Sequence, residues 1–199
     1  TLMDYGQLKE TVTAYIHRSD LAAMMPTFIE MAHSRIMRDV RVPGMLEDGT
    51  LAMTAAPTAL PDGFLDMREL SYTNGSRRYN LKSVGRAELN QYSAATGGLP
   101  QTYSIIGNNI EVEPELTGDL RIIYFKRFDM FVNDTDTNSI LTLNPYLYIY
   151  GALIEANSYI QDEAQRVKAV EFYTTEMQEL NAEAQETRFG EAPQIGIAQ

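Results

Sequence analysis

The 199 residues contain no cysteine, which excludes disulfides, thiolate nucleophiles and cysteine-ligated zinc. With no oxidising framework to read, folding in a reducing cytosol is the simplest expectation. Residues Thr1–Gln7 lack a basic segment followed by an apolar one, so no signal peptide is expected. The longest strongly apolar run, Tyr146 to Ile154, is far short of the roughly 20 residues that span a bilayer. No membrane is therefore expected, and the sequons at Asn74 and Asn133 carry no weight. Cations are scarce as well: 16 Lys and Arg stand against 27 Asp and Glu, a net charge of −11. Nucleic-acid binding neutralises phosphates with cations, so a free chain of this balance should avoid DNA rather than grip it.

Signatures of catalysis are missing too. No G-x-S-x-G elbow is present, and Gly97-Gly98 runs into Leu99-Pro100 rather than Gly-Lys, so neither a serine triad nor a phosphate cradle is indicated. Glu30-Met-Ala-His33 is a fragment of a helical zinc site without its second histidine, and His17, the other of the two, lies on a different element. Asp134-Thr-Asp-Thr-Asn138 looks like half a calcium loop, but Ser139 stands where the turn glycine belongs and Pro145 where the bidentate glutamate belongs. A solvated acidic loop is the better reading. Carboxylates abound in so acidic a chain, and none stands out as a pair. No enzyme, metal or cofactor is expected.

What is present is ordered. Apolar spacing of three and four residues puts Tyr5, Leu8, Val12, Tyr15 and Ile16 on one face of a helix over Tyr5–His17. Ser19 and Asp20 break that pattern and are expected to cap the next helix. This second helix begins near Pro26 and carries Phe28, Ile29, Ala32, Ile36 and Val40 to a stop at Pro43-Gly44. The period then changes. Phe64–Thr73 and Ser76–Lys82 flank Asn74-Gly75, whose residues both tolerate positive φ, so a hairpin is predicted. A short helix over Ser83–Tyr92, a second hairpin about Gly107-Asn108-Asn109 and a strand over Leu120–Phe128 come after it. Helix returns after Asn144-Pro145, and a last helix runs from about Asp162 to Phe189 with Val167, Val170, Tyr173, Met177, Leu180 and Ala184 along one side.

The fold expected is α+β: a helix bundle made by both chain ends (1–45 and 141–190) with an inserted antiparallel β-rich domain (46–140) and a flexible C-terminal arm (191–199). Neither pair of helices hides its apolar stripe alone, so the two pairs must pack together.

Composition also marks surface candidates. Tyr146, Tyr148, Tyr150 and Tyr159 exceed what one helix face can bury, which favours an interface over plain core. Arg35, Arg38 and Arg41 recur at three-residue spacing near the end of the second helix, where cations complement the helix dipole. Glu176, Glu179 and Glu183 belong to a last helix rich in carboxylates, a complementary half for an inter-subunit contact. Ile195 and Ile197 are isolated apolar residues of an arm suited to ordering on a neighbour.

Several ordered segments resemble one family. Tyr5-Gly-Gln-Leu-Lys9, Ile16-His-Arg-Ser-Asp-Leu21 and Pro26-Thr-Phe-Ile-Glu-Met-Ala-His-Ser-Arg-Ile-Met-Arg38 are similar to the opening of tailed-phage head-to-tail adaptor proteins, such as podovirus tail tubular protein A. Leu60-Pro-Asp-Gly-Phe-Leu-Asp-Met-Arg68, Gly98-Leu-Pro-Gln-Thr-Tyr-Ser-Ile-Ile-Gly107 and, most specifically, Leu147-Tyr-Ile-Tyr-Gly-Ala-Leu-Ile-Glu-Ala156 continue the match in order. The resemblance implies a structural virion protein made in the host cytoplasm. It also implies a ring, typically of twelve copies, docked between portal and tail or nozzle, with DNA passing through its bore unbound. Two other classes compete with this reading. A soluble binding module would be a stable monomer with a concave aromatic site in its β domain, and a metal-dependent hydrolase would shift its melting temperature with divalent ions.

Overall fold

In the computed structural model, which describes residues 2–53, 57–92 and 98–189, Asp4 opens the first helix, α1 (Tyr5–Ile16). Its carboxylate accepts the Gln7 N–H at 2.8 Å, and the Gln7 side chain returns to the Asp4 N–H at 3.1 Å. This reciprocal pair satisfies two donors that a helix start leaves orphaned. Ser19 and Asp20 do not cap the second helix: Ser19–Met24 is a 3-10 turn without a side-chain cap, and Asp20 is held by Arg18 through two bonds of 2.7 Å. α2 (Met25–Asp39) has Pro26 in its first turn, where a missing N–H costs nothing. Next come β1 (Leu46–Met53), β2 (Thr58–Ala59), β3 (Phe64–Asn74), β4 (Arg77–Asn80) and β5 (Lys82–Ser83). α3 (Arg86–Tyr92) precedes β6 (Thr102–Ile106), β7 (Asn109–Glu113) and β8 (Gly118–Lys126). The chain returns to helix in α4 (Ser139–Leu143), α5 (Pro145–Tyr159) and α6 (Glu163–Phe189). The fold is α+β.

The chain divides into a helical unit, Thr1–Gly44 with Phe128–Gln199, and a strand unit, Met45–Arg127. Residues 128–140, which sequence pattern alone puts with the strands, group with the helices. Backbone hydrogen bonds tie them there: Gly6 N–H donates to Asp134 O at 2.8 Å and Tyr5 N–H to Asp136 O at 2.9 Å.

The strand unit holds two four-stranded sheets, ordered β1-β8-β3-β4 and β2-β7-β6-β5. All pairings are antiparallel except β5 with β6. Leu120, Ile122 and Tyr124 alternate inward along β8, as a pleat with one wet face requires. They join Leu51, Met53 and Leu70 from their own sheet, Tyr103, Ile110 and Val112 from the other, and Leu60 just past β2 in one core cluster. β1 pairs with β8 along its whole length, from Leu46 opposite Phe125 to Met53 opposite Gly118. The β3–β4 hairpin forms, but its two loop residues are Gly75 and Ser76, since Asn74 pairs with Arg77. Only Gly75 takes a positive φ, 62°, so the turn uses glycine first rather than Asn-Gly.

α5 is the axis of the helical unit and touches α1, α2, α4 and α6. Leu147, Tyr148, Ile149, Ala152, Leu153, Ile154 and Ala156 are all buried along it. Fully burying one large apolar side chain contributes about 1.5–3 kcal/mol, so this helix alone anchors much of the unit. Asn144 caps it, accepting the Leu147 N–H at 3.3 Å. Gly151 sits where α2 crosses: a Cβ built there would lie 3.0 Å from the Ala32 Cβ.

Candidate assembly surface

The polar residues that sequence marks as possible ligands are engaged in structure. Asp136 accepts the Val132 and Asn133 N–H groups at 2.7 and 2.8 Å. Those backbone donors, Asn133's first, hold its carboxyl below the usual carboxylate range. Asp134 pairs with Lys9 at 2.6 Å, while the carbonyls of both aspartates receive the first N–H groups of α1. Asn138 accepts the Leu141 N–H at 2.9 Å, capping α4. The half calcium loop is therefore a clamp on helix starts. Among the described residues no group of carboxylates and histidines could hold a metal ion.

The two histidines part company. His17 is exposed at the end of α1, whereas His33 is 2% exposed. His33 Nε2 lies 3.1 Å from Phe128 O and Nδ1 lies 2.9 Å from the Tyr148 hydroxyl. A carbonyl only accepts, so in the neutral ring Nε2 carries the proton and Nδ1 accepts from the Tyr148 hydroxyl. That hydroxyl in turn accepts from Asn138 Nδ2 at 2.9 Å. Donor and acceptor roles along this chain of groups are all consistent.

The four tyrosines separate into different environments. Tyr148 is fully buried in that network, so it belongs to the core and not to an interface. Tyr159 is 59% exposed and leans on Phe28, with ring centroids 5.7 Å apart. Tyr146 and Tyr150, one turn apart on α5, stack at 6.1 Å, and Tyr150 stacks on Phe172 of α6 at 5.1 Å. Both pairs are nearly parallel, at 21° and 23°. Burial raises the Tyr150 hydroxyl above its ordinary pKa, with Tyr15 and Glu176 adding to the effect. The outer rungs of this ladder stay wet: Tyr146 is 48% exposed and Phe172 53%. Beside it lies a hollow of about 200 Å³ lined by Tyr15, Tyr150, Leu153, Asn157, Lys168 and Phe172, an apolar patch of the kind that marks contact surfaces.

Sequence reasoning misses Phe172 and misplaces Tyr15 and Val167. The buried row of α6 is Ala169, Tyr173, Leu180 and Ala184. Phe172 therefore falls on the polar side, and a lone aromatic there is the signal that could have found it. Tyr15 and Val167, expected on buried faces, are 48% and 45% exposed.

The arginines of the second helix are occupied to different degrees. Arg35 pairs with Glu155 across a groove that also includes Thr27, Glu30, Ser34 and Arg38. Arg41 lies just past the helix and folds back, its Nη1 donating to the carbonyls of Met37 at 2.9 Å and Val40 at 2.7 Å. These are last-turn carbonyls without intrahelical partners. Only Arg38 is largely free of such work, with a side chain 71% exposed and a bond to the adjacent Asp39.

The acidic helix meets this end of α2 within one chain. The Tyr173 hydroxyl donates to Asp39 at 3.3 Å, and Asn181 bridges the Arg41 N–H and the Asp39 carbonyl. Burial, then the Asp39 charge, pushes the Tyr173 hydroxyl up. Glu176 accepts from Asn144 Nδ2 at 2.7 Å, whereas Glu179 and Glu183 are exposed. Ile195 and Ile197 lie outside the described residues.

No helix among the described residues is long and apolar enough to cross a membrane. The sequence matches the family described as SU10 adaptor protein over residues 3–195. No curated protein matches it.

Proposed function

The chain belongs to the SU10 adaptor family, structural proteins of the phage head-to-tail joint and not enzymes, and from that premise we propose that its copies close a ring between portal and tail. The observation that supports this most is the aromatic ladder. A helical unit that buries nine of the fifteen residues of α5 still leaves Tyr146 and Phe172 half in water beside an apolar hollow, and a neighbouring subunit would remove that surface from water. A ring needs two different faces on each copy, because a head-to-tail contact closes only if its rotation does. Arg38 and the carboxylates of α6 belong to the polar margin of that contact, and residues 191–199, outside the described residues, add a contact to a neighbour or to the portal.

DNA passes through the bore in this reading without being gripped. A chain of net charge −11 offers few cations to replace condensed counterions, so an acidic bore would release what it guides. A bore lined mainly by arginine and lysine would contradict this.

The test of the ring is Phe172→Glu. The side chain is half exposed, so the subunit is expected to fold with an unchanged melting temperature, while ring formation on the portal falls at least tenfold by mass photometry, a factor of about 1.4 kcal/mol. Unchanged assembly would remove the ladder from the contact. Deleting Glu191–Gln199 is expected to spare folding and weaken docking, and equal docking would leave the arm without a role.

A further inference from the structure

The ring reading leaves open which surfaces meet, and charge distinguishes them. Between Leu70 and Ala87 the sequence has four cations, Arg77, Arg78, Lys82 and Arg86, and no carboxylate. Lys82 and Arg86 are answered by Glu88 at 4.0 Å and Glu111 at 2.7 Å. Arg77 and Arg78 stand at the tip of the β3–β4 hairpin, on a strand exposed at every residue. Among the described residues no carboxylate makes an ion pair with either, and Asp48, the carboxylate whose field reaches Arg78, is held by Arg121.

The opposite imbalance lies on α6. From Lys168 to Arg188 there is no cation, while Glu171, Glu176, Glu179, Glu183 and Glu186 fall between them. Glu171, Thr175, Glu179 and Glu183 form one four-residue row, all exposed and turned away from the buried row. Like charges one turn apart repel, and carboxylates toward a helix C-terminus oppose its dipole. Among the described residues no cation pairs with Glu171 or Glu179. Glu171 and Glu179, with no ion pair among the described residues, are therefore candidates for compensation by another chain.

We propose that the β3–β4 hairpin of one copy docks on the acidic row of α6 of a second copy, Arg77 and Arg78 meeting Glu171 and Glu179. The proposal rests on the ring reading and deepens it. The acidic row begins beside Phe172, so the ion pairs would rim the aromatic ladder, the arrangement of an apolar centre with a charged margin. Each copy carries both halves in different places, which makes the contact head-to-tail. Duplex DNA is the other polyanion the hairpin could touch. Two arginines release few counterions, and the rest of the chain repels phosphate, so a second copy fits better.

A charge swap tests it in the full chain with its portal, read by mass photometry at about 0.15 M salt, where exposed charges more than about 8 Å apart are screened. R77E/R78E and E171K/E179K each place like charges face to face, so each alone is expected to assemble at least tenfold less well than wild type. Mixed in equal amounts, the two variants restore opposite charges at every contact of an even-numbered ring. Assembly is then expected to return to within twofold of wild type, with copies alternating. Circular dichroism should be unchanged in both, since all four residues are exposed. If wild type closes a ring and both variants close it equally well, the docking is wrong and the ring stands. If wild type closes no ring on the portal, both readings fall. If R77E/R78E assembles normally but loses retention on duplex DNA, the hairpin is a nucleic-acid contact and the proposal is overturned.

Discussion

Tyr148 illustrates how little a residue's type reveals of its task. Its hydroxyl donates to His33 and accepts from Asn138, which itself caps α4. Removing it as Tyr148→Phe leaves the buried His33 and the half-buried Asn138 without that partner, a loss of about 1–3 kcal/mol. Urea unfolding at neutral pH is the check, and a midpoint equal to wild type would show that the network contributes nothing. The same residue sets an alkaline limit. Burial raises the hydroxyls of Tyr148 and Tyr173 well above their ordinary value. Below about pH 10 both are neutral in folded and unfolded chains, and their stabilisation is complete. Above that, the unfolded chain gives up protons that the folded chain retains, so stability falls as pH climbs. Tyr148→Phe is expected to start less stable at pH 7 and to lose less between about pH 10 and 12; an equal loss would contradict this assignment. Sequence treats Tyr146, Tyr148, Tyr150 and Tyr159 alike because their neighbours on α2, α4 and α6 are distant in the chain. Arg41 is similar: spacing suggests a surface cation, and only the fold-back onto the Met37 and Val40 carbonyls shows a cap.

Among elements, those with strong local signals are legible in the sequence and those that depend on partners are not. α2 and α5 are marked by Pro26 and Asn144-Pro145, because a cap and a proline in the first turn act locally. β8 is marked by its alternation. β1 is not, because only Leu51 and Met53 of its residues are buried, and what makes it a strand is the ladder with β8, whose nearest residue lies far along the chain. The task of the acidic loop is hidden from the sequence for the same reason: its carbonyls and side chains serve helix starts that spacing alone does not reveal. The packing of α5 on α2 depends on Gly151, where a side chain has no room against Ala32. Gly151→Leu should force the helices apart and lower stability by about 1–3 kcal/mol, as overpacked cores do. Calorimetry checks this, and an unchanged or higher melting temperature would show that the crossing can yield.

Charge is divided unevenly across the chain. Residues 45–127 hold eight Lys and Arg against ten Asp and Glu, and the remainder holds eight against seventeen. The strand unit is thus near neutral with a basic hairpin, while the helical unit carries most of the negative charge and the exposed aromatic ladder. That asymmetry suits a head-to-tail contact between copies and is legible in the sequence, whereas the different tasks of the three arginines near the end of α2 are not: Arg35 pairs with Glu155, Arg41 folds back on the helix end, and Arg38 stays exposed. Cryo-electron microscopy of the full chain bound to its portal tests the account most directly. It predicts a closed ring in which Tyr146, Tyr150 and Phe172 of every copy are covered by the next. Separate copies on the portal, or a ring whose ladder faces solvent, would contradict it.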